Sequence, residues 1–113
     1  LSAIEIVPVT DAAALQRFIR LPAQLFAADP HFIPPLEMER RDALSPKKNP
    51  YFDHAEVQLF LARRDGRDVG RISAQIDHLV KEPDIGHFGL VVAENDPQVF
   101  AALLGAVEAW LRQ

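Results

Sequence analysis

Glu56-Val57-Gln58-Leu59-Phe60-Leu61-Ala62-Arg63-Arg64-Asp65-Gly66-Arg67-Asp68-Val69-Gly70-Arg71-Ile72-Ser73-Ala74-Gln75-Ile76 is the stretch from which the fold is read. Val57, Leu59 and Leu61 alternate with Glu56, Gln58, Phe60 and Ala62, the two-residue period of a strand. Asp65-Gly66 then supplies a tight hairpin turn, glycine providing the positive φ that primed turns need. The return strand follows, with Val69, Arg71, Ser73 and Gln75 expected on one face and Gly70, Ile72, Ala74 and Ile76 on the other.

Downstream, His87-Phe88-Gly89-Leu90-Val91-Val92 reads as a buried strand, Ala93 to Asp96 as its exit, and Pro97 onward as a helix. Asp96 suits the N-cap and Pro97 the first helical position. Val99, Phe100, Leu103, Leu104, Val107, Trp110 and Leu111 recur at helical steps and form an apolar stripe that packs on the sheet. Residues 77–86 carry a proline, acids and glycine and read as a loop.

Upstream, Leu1 to Val9 suits a short edge strand with Pro8 near its end. Thr10 or Asp11 can cap a helix bearing Leu15, Phe18 and Ile19, which Pro22 is expected to kink or restart. Asp29-Pro30 stops it. Six of the nine prolines fall between positions 22 and 50, so residues 11–54 read as helical pieces and stiff turns, with one short helix from Pro35 to Leu44. Residues 45–54 read as a loop. The fold class is α/β (α+β): a mixed, largely antiparallel sheet with flanking helices, in a single domain over 1–113.

Composition narrows the function. At 113 residues, with 49% hydrophobic and 25% charged residues, the chain is one ordinary globular domain. A net charge of −4 argues against nucleic-acid binding by bulk electrostatics. Without cysteine there are no disulfides or thiolate metal sites. His31, His54, His78 and His87 show no ligand spacing, so no metal is expected. The sequence contains no membrane-spanning run or signal peptide, and the expected location is the cytoplasm. Arg63, Arg64, Arg67 and Arg71, interleaved with Asp65 and Asp68, read as a solvated hairpin tip, with Lys47 and Lys48 possible neighbours.

The order strand, helical pieces, hairpin, strand, helix is similar to the first half of the GNAT acyl-CoA N-acyltransferase fold. Phe18-Ile19-Arg20-Leu21-Pro22, Asp29-Pro30-His31-Phe32-Ile33-Pro34-Pro35-Leu36, Pro46-Lys47-Lys48-Asn49-Pro50-Tyr51-Phe52 and the run from Ala55 to Asp77 resemble the opening portion of a bacterial GNAT-like family that has no assigned activity. The resemblance implies acetyl-CoA or another acyl-CoA, with pantetheine along Leu90, Val91 and Val92 and pyrophosphate on the loop at Asn95, Gln98 and Val99. It also implies Glu94 as a general base near the acceptor amine. The usual loop runs Gln or Arg, two residues, Gly, one residue, then Gly or Ala. Here Glu94-Asn95-Asp96-Pro97-Gln98-Val99 has no glycine, places two acids where pyrophosphate would land, and loses an amide donor at Pro97.

A complete fold of this type continues with further strands and often a tyrosine that protonates the leaving thiolate, a position Tyr51 does not match. The last strand is therefore expected to have an open edge, which a homodimer could cover. The expected function is a GNAT-like N-acyltransferase-related domain that is not catalytically competent alone. The alternatives are a non-enzymatic dimerisation or protein-interaction module, and an acyltransferase completed by a second chain or a C-terminal half.

Overall fold

The computed structural model describes residues 3–27, 44–45, 49–78 and 86–112. The helix expected at Pro35–Leu44, the stop at Asp29-Pro30, His31, Lys47, Lys48 and most of the 77–86 loop lie outside the described residues. The chain runs β1 (Glu5–Pro8), α1 (Ala12–Leu25), a 3₁₀ turn (Pro50–Asp53), β2 (Ala55–Arg64), β3 (Arg67–Asp77), β4 (His87–Ala93) and α2 (Pro97–Leu111). Its four strands lie in the order β1-β2-β3-β4, every neighbouring pair antiparallel. Among the described residues the sheet is thus wholly antiparallel.

The hairpin turns as its sequence dictates. Arg64 faces Arg67 across a two-residue loop, and Asp65 and Gly66 both have positive φ, 56° and 74°, as a type I′ turn requires. Its two faces build two cores. Phe60, Ala62, Ile72 and Ala74 pack with Val99, Leu103 and Val107 of α2, whereas Leu59 and Leu61 pack with Ala14, Phe18 and Leu21 of α1. The strict alternation fails at one place. The register shifts between Ala62 and Arg63, and Val69 joins the α2 core instead of sharing a face with Arg71, because a bulge adds a residue and turns the side chain over. Next to it, Gly70 lets α2 approach: a Cβ there would meet Val99 Cγ1 at 2.8 Å and Leu103 Cδ1 at 2.9 Å.

Helix α1 corrects the expectation that Pro22 would interrupt it. Asp11 caps it, accepting from the Ala14 amide at 2.8 Å, and the helix runs through Pro22 to Leu25. Proline removes the N–H that would bond to the carbonyl four residues back, Phe18. That carbonyl accepts instead from an Arg71 guanidinium nitrogen at 2.7 Å, so the ladder's missing bond is supplied from β3.

Strand β4 is also not the buried strand its composition suggested. His87 and Phe88 are exposed, Phe88 at 55%, because β4 is the outer strand of the order and its apolar run is covered on fewer sides. The hairpin tip is pinned by Asp68, which accepts from Arg17 at 2.7 and 3.0 Å and from Arg63 at 3.1 Å.

Candidate functional site

The register of β3 against β4 breaks between Arg71 and Ser73. Arg71 pairs with Val92 and Ser73 with Gly89, leaving Leu90 and Val91 opposite Ile72 alone. Leu90 absorbs the extra residue with φ of +52°, a conformation that costs a non-glycine residue about 1–2 kcal/mol. Arg71 holds it there: the buried side chain donates from Nε to the Leu90 carbonyl at 3.1 Å. The guanidinium lies over the Phe18 ring, 4.8 Å from its centroid.

On the α1 side of this bulge is a cavity of about 320 Å³, walled by Tyr51, Phe52, Val57, Ser73, Gln75 and Leu90 among others. Ser73 Oγ donates to Gln75 Oε1 at 3.0 Å, and Tyr51 lines the same cavity with them. Burial, then the nearby Asp77 carboxylate, pushes the Tyr51 hydroxyl above its ordinary pKa, so it stays a protonated donor. Beyond it Asp77 accepts from or pairs with His54 Nδ1 at 2.8 Å, and the His54 ring stands edge-on to Tyr51, 5.1 Å away. Arg71, Ser73, Gln75 and Asp77 occupy alternate positions of β3, the period that brings one polar row to one face.

The β4–α2 loop is built differently from a phosphate cradle. Asp96 Oδ1 accepts from the Gln98 amide at 2.9 Å, and the Val99 amide bonds to the Asp96 carbonyl at 3.0 Å. With Pro97 lacking an N–H, the first-turn amides are engaged within the chain. Asp96 Oδ2 accepts from Arg64 at 2.9 Å, and Glu94 pairs with Arg67 at 2.9 Å. The Gln98 amide, then Arg64, hold the Asp96 carboxyl below the usual carboxylate range. The loop therefore does not fit a pyrophosphate held on amides. What it offers an anion is guanidinium, and Arg64 Nε is buried without a hydrogen-bond partner among the described residues.

The residues singled out from sequence are thus dispersed. Leu90 lines the cavity; Val91 packs against the α2 core; Val92 sits opposite Arg71. Val99 is fully buried, Asn95 and Gln98 are exposed, and Glu94 is engaged by Arg67. The hairpin-tip arginines are not simply solvated, since Arg64 and Arg67 reach the acids of the loop. Sequence reading passed over Tyr51, Ser73 and Gln75. The only signal for Ser73 and Gln75 was the alternation of polar side chains along β3, and Tyr51, in the 3₁₀ turn, had none. Among the described residues no three His, Asp or Glu side chains gather as a metal site, and no helix is long and apolar enough to cross a membrane.

A four-stranded antiparallel sheet with two helices and a bulged fourth strand is a partial GNAT-like fold. Among solved structures, a tandem GNAT protein from the clavulanic acid biosynthesis pathway, determined without AcCoA, superposes with a TM-score of 0.69 over 97% of this chain and 33% of that one. At 17% identity that likeness concerns the fold alone. Among curated proteins, the bacterial ceramide synthase of Caulobacter vibrioides (strain NA1000 / CB15N) is 61% identical over 113 residues, 96% of this chain and 29% of that protein. Protein YghO of Escherichia coli (strain K12) is 52% identical over 101 residues, 87% of this chain and 26% of that protein. The chain spans less than a third of the length of these relatives. No protein-family model matches it.

Proposed function

We propose that this chain forms part of an N-acyltransferase of the ceramide-forming kind, which moves a fatty acyl group from a thioester to the amine of a long-chain amino alcohol. In that reaction the amine nitrogen attacks the thioester carbonyl, a C–N bond forms, the C–S bond breaks, and the thiolate leaves with the proton the amine gives up. The observation that carries the reading is the 61% identity to a bacterial ceramide synthase along nearly the whole chain. The GNAT-like fold supports it, because the chemistry expected of that resemblance is also amide formation from an acyl-CoA. Glu94 serves as general base in this reading only when Arg67 releases it.

The test replaces the matched segment of the Caulobacter vibrioides enzyme with this chain and assays the chimera with palmitoyl-CoA and sphinganine. Ceramide formation within about tenfold of the parent, a difference of roughly 1.4 kcal/mol in barrier, is the expected result. A soluble chimera with native circular dichroism that makes no ceramide would overturn the reading.

A second reading, an interaction or homodimerisation module, draws support from β4, which has no strand partner on its outer side among the described residues and carries the exposed Phe88. Strand edges of this kind accept another strand. Sedimentation equilibrium giving twice the chain mass, and one chain mass after Phe88→Lys, is what this reading requires.

A further inference from the structure

We propose that the cavity between the 3₁₀ turn and β4 seats the polar head of a long-chain amino alcohol, whose alkyl tail runs into the neighbouring cavity beneath α1. The inference deepens the acyltransferase reading and rests on it for the identity of the ligand. Three observations carry it. First, the 320 Å³ cavity and a second of about 400 Å³ share Leu44, Phe52 and Val57 as walls, and the second continues past Leu59 to Val9 and Leu15. Together they make a trough running away from the bulge, with these apolar side chains as its walls and with Thr10, Asp11 and Gln58 at its far end.

Second, the head end of that trough carries a polar group of side chains, Ser73 bonded to Gln75 with Tyr51 on the same cavity wall. Hydroxyl and amide groups both donate and accept, which suits the hydroxyls of an amino alcohol and its amine in the deprotonated form that attacks the thioester. Third, among the described residues no charged side chain lines the head cavity. Among those residues an anionic head would meet no counter-charge, at a high desolvation cost, so they match neither a fatty carboxylate nor the phosphates of a coenzyme. The cavity opens beside Leu90, where β4 leaves its ladder, so a head group held by Gln75 lies next to the strand that the GNAT resemblance assigns to the acyl donor.

The experiment is a ¹H–¹⁵N NMR titration of the chain with 2-aminooctane-1,3-diol, octylamine and octanoate, each below its micelle concentration. The diol is expected to shift the amides of Phe52, Val57, Ser73 and Gly89 saturably. Octylamine, lacking the hydroxyls, should bind about five- to tenfold more weakly, the loss of a hydrogen bond or two, and octanoate should leave these amides unmoved. Gln75→Leu should weaken the diol about tenfold and leave octylamine unchanged, with the rest of the spectrum showing an intact fold. Equal affinity for all three probes, shifts confined to α2, or a diol affinity indifferent to Gln75→Leu would each overturn the proposal. A chimera that makes no ceramide would remove the reading of function but not a selective diol site. A ceramide-forming chimera whose KM for sphinganine ignores Gln75→Leu would remove this inference alone.

Discussion

Arg71 on β3 donates to the carbonyl of Leu90 on β4 across the point where their register breaks, at 3.1 Å. The same guanidinium satisfies the Phe18 carbonyl, which Pro22 leaves without its helical donor. One side chain thus ties the proline-bearing helix to the left-handed residue of the fourth strand.

Replacing that side chain should expose both debts of geometry at once. Arg71→Met leaves two carbonyls without this donor and should cost roughly 2–6 kcal/mol, taking about 1–3 for each unsatisfied group. Pro22→Ala restores an N–H opposite Phe18, so the cost of Arg71→Met should shrink by about 1 kcal/mol in that background. Urea unfolding of the four proteins in the double-mutant cycle measures the coupling, and additive costs would show that Arg71 does not replace the proline's missing bond.

Gly70 should tolerate no side chain. Its added Cβ would collide with Val99 and Leu103, both fully buried in the α2 core. Gly70→Ala is expected to destabilise by about 1–3 kcal/mol, whereas Gly66→Ala loses the positive-φ residue of the turn without a clash. Thermal unfolding of the two variants compares overpacking with backbone strain, and a wild-type midpoint for Gly70→Ala would mean that α2 can move away from the sheet at no cost.

Acid stability should follow Asp68. The Arg17 hydrogen bonds come first in holding its carboxyl below the ordinary range, burial opposes them, and the charges of Arg17 and Arg63 add to the lowering. The unfolded chain therefore takes up this proton first. The stabilisation is fully present above the unfolded value of about 3.9 and is lost as pH falls through the lower folded value. Asp68→Asn should cost roughly 1–3 kcal/mol at neutral pH and flatten the decline of stability below about pH 4. Urea midpoints measured from pH 7 down to pH 2 would show parallel curves if Asp68 contributed nothing.

Coenzyme affinity should be limited by the loop's own acids. Glu94→Gln with Asp96→Asn frees Arg67 and Arg64 while asparagine keeps the helix cap. The double variant is expected to bind acetyl-CoA about tenfold more tightly than the parent, about 1.4 kcal/mol. Calorimetric titration decides this, and an unchanged affinity would exclude these arginines as an anion site.

The hairpin and the helices were legible from local pattern, and the partial GNAT-like sheet from the resemblance of the element order and motifs. Alternation from Val57 to Leu61, Asp65-Gly66 and Asp96-Pro97 each specify geometry within a few residues, through side-chain period, backbone freedom and hydrogen bonding. Asp96 declared itself as a cap for the same reason, while between Thr10 and Asp11 it is the structure that places Asp11 at the cap. Within β3, the alternation also placed Arg71, Ser73 and Gln75 on one face before any partner was known.

What that face meets was decided by the tertiary structure. Pro22 announces a lost hydrogen bond, but only the approach of β3, about fifty positions later in the chain, supplies the donor that lets α1 continue. The apolar run in β4 announces burial, yet its place at the outer side of the sheet leaves Phe88 exposed. Glu94 and Asp96 announce a repulsive loop, and the returning hairpin brings Arg67 and Arg64 to neutralise them. Tyr51 joins the Ser73–Gln75 row only because the 3₁₀ turn folds over the sheet. Local conformational preference is a property of neighbouring residues, whereas bulges, ion pairs and cavity walls depend on long-range packing, which no short stretch encodes alone.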